Sequence, residues 1–98
     1  MTLTEKQKKY LRGLAHARNP LVMVGQHGLT AGVTAELDSA LSTHELVKIS
    51  VRVGDREARD AILAELAKQS TAELVQRIGN VAVFYRPKKD PPRIVLPG

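Results

Sequence analysis

The sequence predicts an α/β fold in which three helices pack on a four-stranded mixed sheet, in the order αβαβαββ. Apolar residues recur at helical spacing in three segments. Four short runs, either continuously apolar or alternating, lie outside these segments and are typical of strands. Gly79-Asn80 separates the last two runs, and a two-residue turn of this type closes an antiparallel hairpin. The chain has 98 residues, the length of a single domain.

The first helix is predicted to begin after Thr4, whose hydroxyl can cap it together with Gln7 three residues later. Asn19-Pro20 ends it, because the residue before a proline avoids the helical conformation. The run Leu21–Val24 follows, and its unbroken apolar character predicts a strand buried on both faces. The expected apolar stripe of the helix consists of Tyr10, Leu11, Leu14 and Ala17.

Thr30 is predicted to cap the second helix, and Asp55 the third. The second strand is expected over Leu46–Val53, where apolar residues alternate with polar ones. Helical spacing defines two further buried stripes. They are Val33, Leu37, Ala40 and Leu41 in the second helix, and Ala58, Ile62, Leu63, Leu66 and Ala67 in the third.

The last two strands are predicted over residues 72–78 and 81–86. A regular hairpin register pairs Leu74 with Tyr85 and places Val75 on the opposite face, beside Phe84. Both faces of the sheet are then partly apolar, so each needs a cover. We expect the second and third helices to cover one face and the first helix to cover part of the other.

Residues 1–87 are predicted to form the domain, and residues 88–98 a proline-rich basic tail. The chain carries 15 Lys and Arg against 10 Asp and Glu, a net charge of +5. Residues 1–28 and residues 77–98 each contain five basic residues and one acid, whereas the middle of the chain is acidic. If the two ends meet in space, they form one positive surface suited to an acidic partner.

Several classes of function find no support in the composition. The chain has no cysteine, and His16, His27 and His44 lie too far apart in sequence for a metal-ligand motif, so we expect no metal and no cofactor. No side chain has an evident partner for nucleophilic catalysis, so we expect no enzyme and no small-molecule substrate. The longest apolar runs are too short to cross a bilayer, and no signal peptide is evident. The expected protein is a cytoplasmic monomer without membrane contact.

The loop Gly25-Gln26-His27-Gly28 lies between a predicted strand and the start of the second helix. Two glycines allow the backbone to turn sharply and expose its amides, and a helix start attracts anions. The loop lacks the Lys-Ser/Thr of a nucleotide-binding P-loop and the third glycine of a dinucleotide site. Taken alone, this pattern indicates either a phosphate-binding loop or an ordinary turn.

Four motifs in order make the pattern more specific. They are residues 11–16 (LRGLAH), 20–30 (PLVMVGQHGLT), 44–49 (HELVKI) and 78–87, which begin with IGNV and end with FYRP. With them the chain resembles the CRM (chloroplast RNA splicing and ribosome maturation) domain in its stand-alone bacterial YhbY-like form. The resemblance runs from Thr4 to about Pro87. It implies a fold related to the C-terminal domain of bacterial initiation factor three.

The resemblance also implies that the loop clamps an RNA backbone, and that the protein associates with ribosomal RNA or large-subunit precursors during ribosome assembly. The alternative is a protein–protein adaptor on ribosomal particles, against which stands the lack of an evident exposed aromatic or leucine anchor. Aromatic residues are few, so base stacking on rings is limited. The predicted RNA-binding residues are Gly25, Gln26, His27, Gly28, Thr30, Lys6, Lys9, Arg12, Arg18, Lys48, Arg52, Arg77 and Arg86.

Overall fold

The computed structural model describes residues 2–89 and 91–98. Met1 and Asp90, which belong to the predicted domain and the predicted tail, lie outside the described residues. The predicted order of elements is confirmed. The elements are α1 (Glu5–His16), β1 (Val22–Val24), α2 (Ala31–His44), β2 (Leu46–Val51), α3 (Arg56–Ser70), β3 (Glu73–Ile78) and β4 (Val81–Tyr85).

The four strands form one mixed sheet in the order β1-β2-β4-β3. β1 pairs with β2 in parallel, and β4 lies antiparallel to both of its neighbours. The hairpin strand β4 therefore occupies the position between β2 and β3. The connection through α3 skips that one position, so β2 and β3 run parallel without touching.

Side-chain caps begin all three helices as predicted. The capping box of Thr4 and Gln7 is complete at α1. At α2 the hydroxyl of Thr30 accepts a backbone N–H, and at α3 the carboxylate of Asp55 accepts the N–H of Ala58 at 2.8 Å. Each cap satisfies an amide that the helix cannot, at a gain of about 1 kcal/mol.

Each face of the sheet carries its own core, as expected. α2 and α3 pack on one face, where Phe84 and the inward residues of β1 and β2 are buried. α1 packs against β2 and β3 on the other face, where Leu11 and Tyr85 are buried. We call these the α2/α3 face and the α1 face. Burial of each such side chain contributes about 1.5–3 kcal/mol.

The predicted hairpin register is wrong beyond its first part. Ile78 pairs with Val81 as expected, but Leu74 pairs with Phe84 and not with Tyr85. A β-bulge at Val75 causes the shift, because one extra residue on β3 changes which side chains face each side. Leu74 consequently packs in the α2/α3 core, and Val75 in the α1 core, opposite to the expectation.

The expectation that the first strand is buried on both faces is also wrong. Val22 and Val24 are buried against α2 and α3, but Met23 between them is 59% exposed. β1 is a three-residue edge strand with one neighbour, and α1 packs over β2 and β3. Tyr10 in α1 and Ala17 directly after it are exposed and not buried as expected, because the helix contacts the sheet mainly through Leu11 and Ala15.

The segment after β4 folds back on the α1 face. Ile94 and Leu96 pack against the α1 core. Glu45, a fully buried residue between α2 and β2, fastens the segment, because its carboxylate accepts backbone N–H groups of Lys88, Arg93 and Ile94 at 2.8–2.9 Å. Three backbone N–H groups thus satisfy a buried carboxylate.

Candidate nucleic-acid interface

The glycine loop lies on the surface between β1 and α2. Gly25, Gln26 and His27 are exposed. The N–H of Gly28 donates to the carbonyl of Gly25 at 2.9 Å, which closes a tight turn. Gly28 has a φ of +70°, a conformation that residues with a β-carbon rarely adopt. The backbone therefore favours glycine at the second position, and the two residues at the tip project into solvent.

The start of α2 follows the loop directly. The hydroxyl of Thr30 accepts the N–H of Val33 at 3.1 Å, so this side chain serves as the helix cap. One cap leaves other first-turn amides without an intrahelical partner, and the dipole of α2 places partial positive charge beside the loop. An anion at this position meets oriented N–H groups and no carboxylate from the first turn of α2.

Three connections meet at the same edge of the sheet, which we call the loop edge: residues 25–28, 52–54 and 79–80. The N–H of Arg52 donates to the carbonyl of Val24 at 2.8 Å. The N–H of Val51 donates to the carbonyl of Asn80 at 2.7 Å. These two bonds hold the connections side by side, and Arg52 is exposed among them.

A depression of about 590 Å³ lies on the α1 face next to the loop edge. α1 contributes Lys9, Arg12 and His16 to its wall, and β2 contributes Lys48. Gln76, Ile78, Val81 and Val83 are among the residues of β3 and β4 that line it. Among the described residues, those that line this depression include no carboxylate. Two cations of α1 and one of β2, which are distant in the sequence, are thus brought together.

Part of this charge is already in use within the fold. The ammonium of Lys48 lies 3.4 Å from the carbonyl oxygen of Ala15 and 3.3 Å from that of Arg18, at the negative end of α1. The guanidinium of Arg18 donates to the carbonyl of Leu46 at 2.7 Å. Lys48 and Arg18 therefore fix α1 to β2, in addition to any contact with a ligand.

The remaining predicted cations lie elsewhere. Arg77 forms an ion pair with Asp60 at 2.8 Å. Arg86 pairs with Asp38 at 2.6 Å and also donates to the carbonyl of Ser70, which ties the end of β4 to α2 and α3. Lys6 is exposed near the start of α1. The two chain ends do meet, but Arg77 and Arg86 face carboxylates of the helices on the α2/α3 side.

Two features escaped the sequence prediction. Met23 and Ile78 are exposed beside the loop edge, although both belonged to strands expected to be buried or paired in the core. Leu21 and Tyr10 are also exposed, so the expected lack of an exposed leucine or aromatic residue is wrong. The shortness of the first apolar run was the one signal of an edge strand with an open side.

Membrane spans and metal clusters do not occur in the described part of the chain. Within residues 2–89 and 91–98, no helix combines the length and apolarity needed to cross a membrane. Across the same residues, no group of three or more His, Cys, Asp or Glu side chains converges as metal ligands would.

Comparison with known proteins identifies the family. The family model described as the CRS1/YhbY (CRM) domain matches residues 3–86. A protein of Haemophilus influenzae named RNA-binding protein is 47% identical over 96 residues, which cover 98% of this chain and 96% of that protein. A Pseudomonas aeruginosa protein named probable RNA-binding protein is 44% identical and covers 93% of this chain, with 88% of its own length matched.

A solved structure agrees with the fold. The solution structure of a Staphylococcus aureus protein superposes with a TM-score of 0.84 at 35% identity, covering 98% of this chain and 100% of that one. The chain therefore belongs to the CRS1/YhbY (CRM) domain family, and the resemblance drawn from its motifs is confirmed.

Proposed function

We propose that this protein binds RNA, with the phosphate backbone held at the Gly25–Gly28 loop and the start of α2. The observation that carries the proposal is the exposed glycine turn, which lies on the same edge of the sheet as Arg52 and as the 79–80 turn that borders a cationic depression. The matched relatives named as RNA-binding proteins support it.

The chemistry of the loop suits a phosphate oxygen. Backbone N–H groups at a helix start donate to the oxygen, and the absence of a β-carbon at Gly25 leaves space for its approach. The side chains of Gln26 and His27 can add donors at the exposed tip. Contacts of this kind position a backbone without reading bases, so we expect low sequence specificity.

The basic residues contribute unequally in this proposal. Lys9, Arg12, Lys48 and Arg52 form the inner field next to the loop, and Lys6 and Arg18 extend it along α1 and at its end. The charge of Arg77 and Arg86 is largely offset by Asp60 and Asp38. Thr30 acts through the cap that holds the α2 amides in place.

We further propose that the RNA is ribosomal RNA or a large-subunit precursor, and that the protein takes part in ribosome assembly as a cytoplasmic, non-enzymatic monomer. This finer proposal rests on the family resemblance. Crosslinking in cells followed by sequencing of the attached RNA tests it. Recovery of large-subunit ribosomal RNA is the expected result, and its absence from the crosslinked RNA would contradict the ribosomal assignment.

Replacing Gln26 and His27 together by Asp tests the loop directly. Two negative charges against a phosphate should lower affinity for RNA by about tenfold or more at low salt. The plot of log affinity against log salt should also become less steep, by about 0.7 for each phosphate of a single strand that the variant no longer neutralises. Filter binding at several salt concentrations measures both quantities.

Ser39→Asp with Thr43→Asp is the matched control, since both positions are exposed on α2 and change the net charge equally. They lie about 13 and 20 Å along the helix from Thr30. Circular dichroism should show both variants folded. Equal affinities for the loop variant and the wild type would remove the loop from the proposed interface. A complex insensitive to salt would contradict backbone binding altogether.

A further inference from the structure

A row of four side chains crosses the sheet on the α1 face at the loop edge. Met23 is in register with Ser50, Ser50 with Val81, and Val81 with Ile78. Residues in register on neighbouring strands project from the same face. We call Met23, Ser50, Val81 and Ile78 the open row.

The open row is apolar and exposed at both ends. Met23 is 59% exposed and Ile78 is 66% exposed, and the short side chain of Ser50 lies between Met23 and Val81. The other half of the same face is covered, because Ile94 and Leu96 pack there against the α1 core. One half of this face thus receives a cover from the chain itself. In the open row, Ser50 is 6% exposed, whereas the apolar side chains at the two ends stay in contact with solvent.

The surroundings of the row indicate what would cover it. On the α1 side lie Lys9, Arg12 and Lys48, in the depression that Ile78 and Val81 also line. On the other side lies the loop edge with Arg52. A ligand that fits carries flat apolar surfaces with negative charges on both sides of them. A polynucleotide strand with unstacked bases has this pattern, whereas a duplex keeps its base faces stacked inside.

We propose that the open row receives unstacked bases of single-stranded RNA, so that the protein prefers single-stranded RNA to duplex. The inference rests on the proposed RNA-binding function and names the class of RNA. The row crosses three inter-strand spacings of about 4.8 Å, about 14 Å in all, which is room for roughly two or three bases. Aliphatic contact replaces the aromatic stacking that the composition of the chain limits.

Binding of three probes tests the proposal. They are a mixed-sequence RNA octamer, the same octamer with its central bases replaced by abasic sites, and a blunt duplex of the intact sequence. The wild type should bind the intact octamer about tenfold more tightly than the abasic one, because burial of apolar surface accompanies only the former. Met23→Ser with Ile78→Ser should abolish this difference and leave abasic and duplex affinities unchanged.

Val95→Ser is the control variant, since Val95 is an exposed apolar residue in the segment after β4 and lies outside the row. It should behave as the wild type. Isoleucine methyl NMR supplies a second readout. The Ile78 methyl signal should shift with the intact octamer and much less with the abasic one, and the Ile94 signal should stay in place.

Several outcomes would overturn the proposal. Equal affinity for intact and abasic octamers would show that bases do not reach the row. Equally weakened binding of all three probes by the serine variant would make the row a structural element only. A wild type that sediments as a dimer, with a monomeric serine variant, would assign the row to self-association. The proposed function fails separately, if the wild type binds none of the probes or the loop variant binds all of them normally.

Discussion

The two halves of the α1 face differ in what covers them, although β2, β3 and β4 contribute to both. In the covered half, Leu46, Val75 and Tyr85 lie beneath α1 and the segment after β4. In the open half, Met23 and Ile78 face solvent at the loop edge. Hydrophobic character alone does not decide which half is covered. The covered half has a buried acid that fastens the chain over it.

Glu45 is that acid, and its backbone conformation is unusual. Its φ is +63°, which costs a residue with a β-carbon about 1–3 kcal/mol. The surrounding bonds maintain this geometry: its N–H donates to the carbonyl of Leu41, and its carbonyl accepts the N–H of Arg86, both at 2.9 Å. Its carboxylate then organises the segment after β4. The open half has no comparable anchor among the described residues.

The largest expected effect is that of Glu45→Gln. The two carboxylate oxygens of Glu45 together accept three backbone N–H groups, and the single carboxamide oxygen of Gln cannot replace both of them. The carboxamide NH₂ of Gln also faces a backbone N–H, so two donors meet and neither has an acceptor. We expect a loss of about 2–4 kcal/mol in the free energy of unfolding, measured in urea. Amide hydrogen exchange should become faster at Lys88, Arg93 and Ile94.

The RNA affinity of the same variant shows whether the two halves act independently. If the interface lies in the open half, Glu45→Gln should bind RNA as tightly as the wild type under conditions where it is folded. Glu73→Gln is the control, because among the described residues that carboxylate accepts one N–H, from Leu3 at 3.3 Å. A large drop in RNA affinity with Glu45→Gln alone would place part of the interface in the covered half.

A smaller effect concerns the covered half at high pH. Burial raises the pKa of the Tyr85 hydroxyl above its ordinary value of 10.0, and the charge of Glu45 raises it further. The unfolded chain therefore releases this proton at lower pH than the folded chain does. The protonated hydroxyl of Tyr85 therefore contributes in full to the stability of the fold below pH 10. This contribution is lost as the pH rises through the pKa that Tyr85 has in the folded chain.

Urea unfolding between about pH 8 and 11 measures this contribution. The difference in unfolding free energy between the wild type and Tyr85→Phe should change with pH above about 10. Tyr10→Phe is the control, because Tyr10 is substantially exposed on α1. A constant difference between the wild type and Tyr85→Phe across this range would show that the Tyr85 hydroxyl is not desolvated in solution.

Much of the fold follows from local patterns in the sequence. The three caps, the helix stripes of α2 and α3, and the hairpin turn are set by residues close in the chain, and each was predicted. The bulge at Val75 was not predicted. Whether a strand is regular or bulged at one residue depends on how residues distant in the chain pack against it, and the local sequence pattern does not show this. The same holds for Met23, whose exposure depends on where α1 crosses the sheet.

The candidate site likewise has one part that the sequence predicts and another that it does not. The position of the Gly25–Gly28 loop before α2 was readable from spacing, and the structure places its tip at the surface. Which cations share a face was not readable, because net charge does not say that Arg86 meets Asp38 or that Lys48 meets the end of α1. The role of Glu45 was hidden for a related reason, since its partners lie more than 40 residues away.

Backbone NMR of the full chain during titration with single-stranded RNA tests the central claim, that RNA binds in the open half at the loop edge. The predicted result is that the largest amide shifts fall at residues 25–28, at Arg52 and at residues 79–80, with smaller shifts at Lys9 and Arg12. Amides after β4, such as those of Arg93 and Ile94, should stay in place. The largest shifts at those amides, or along α3, would contradict RNA binding in the open half.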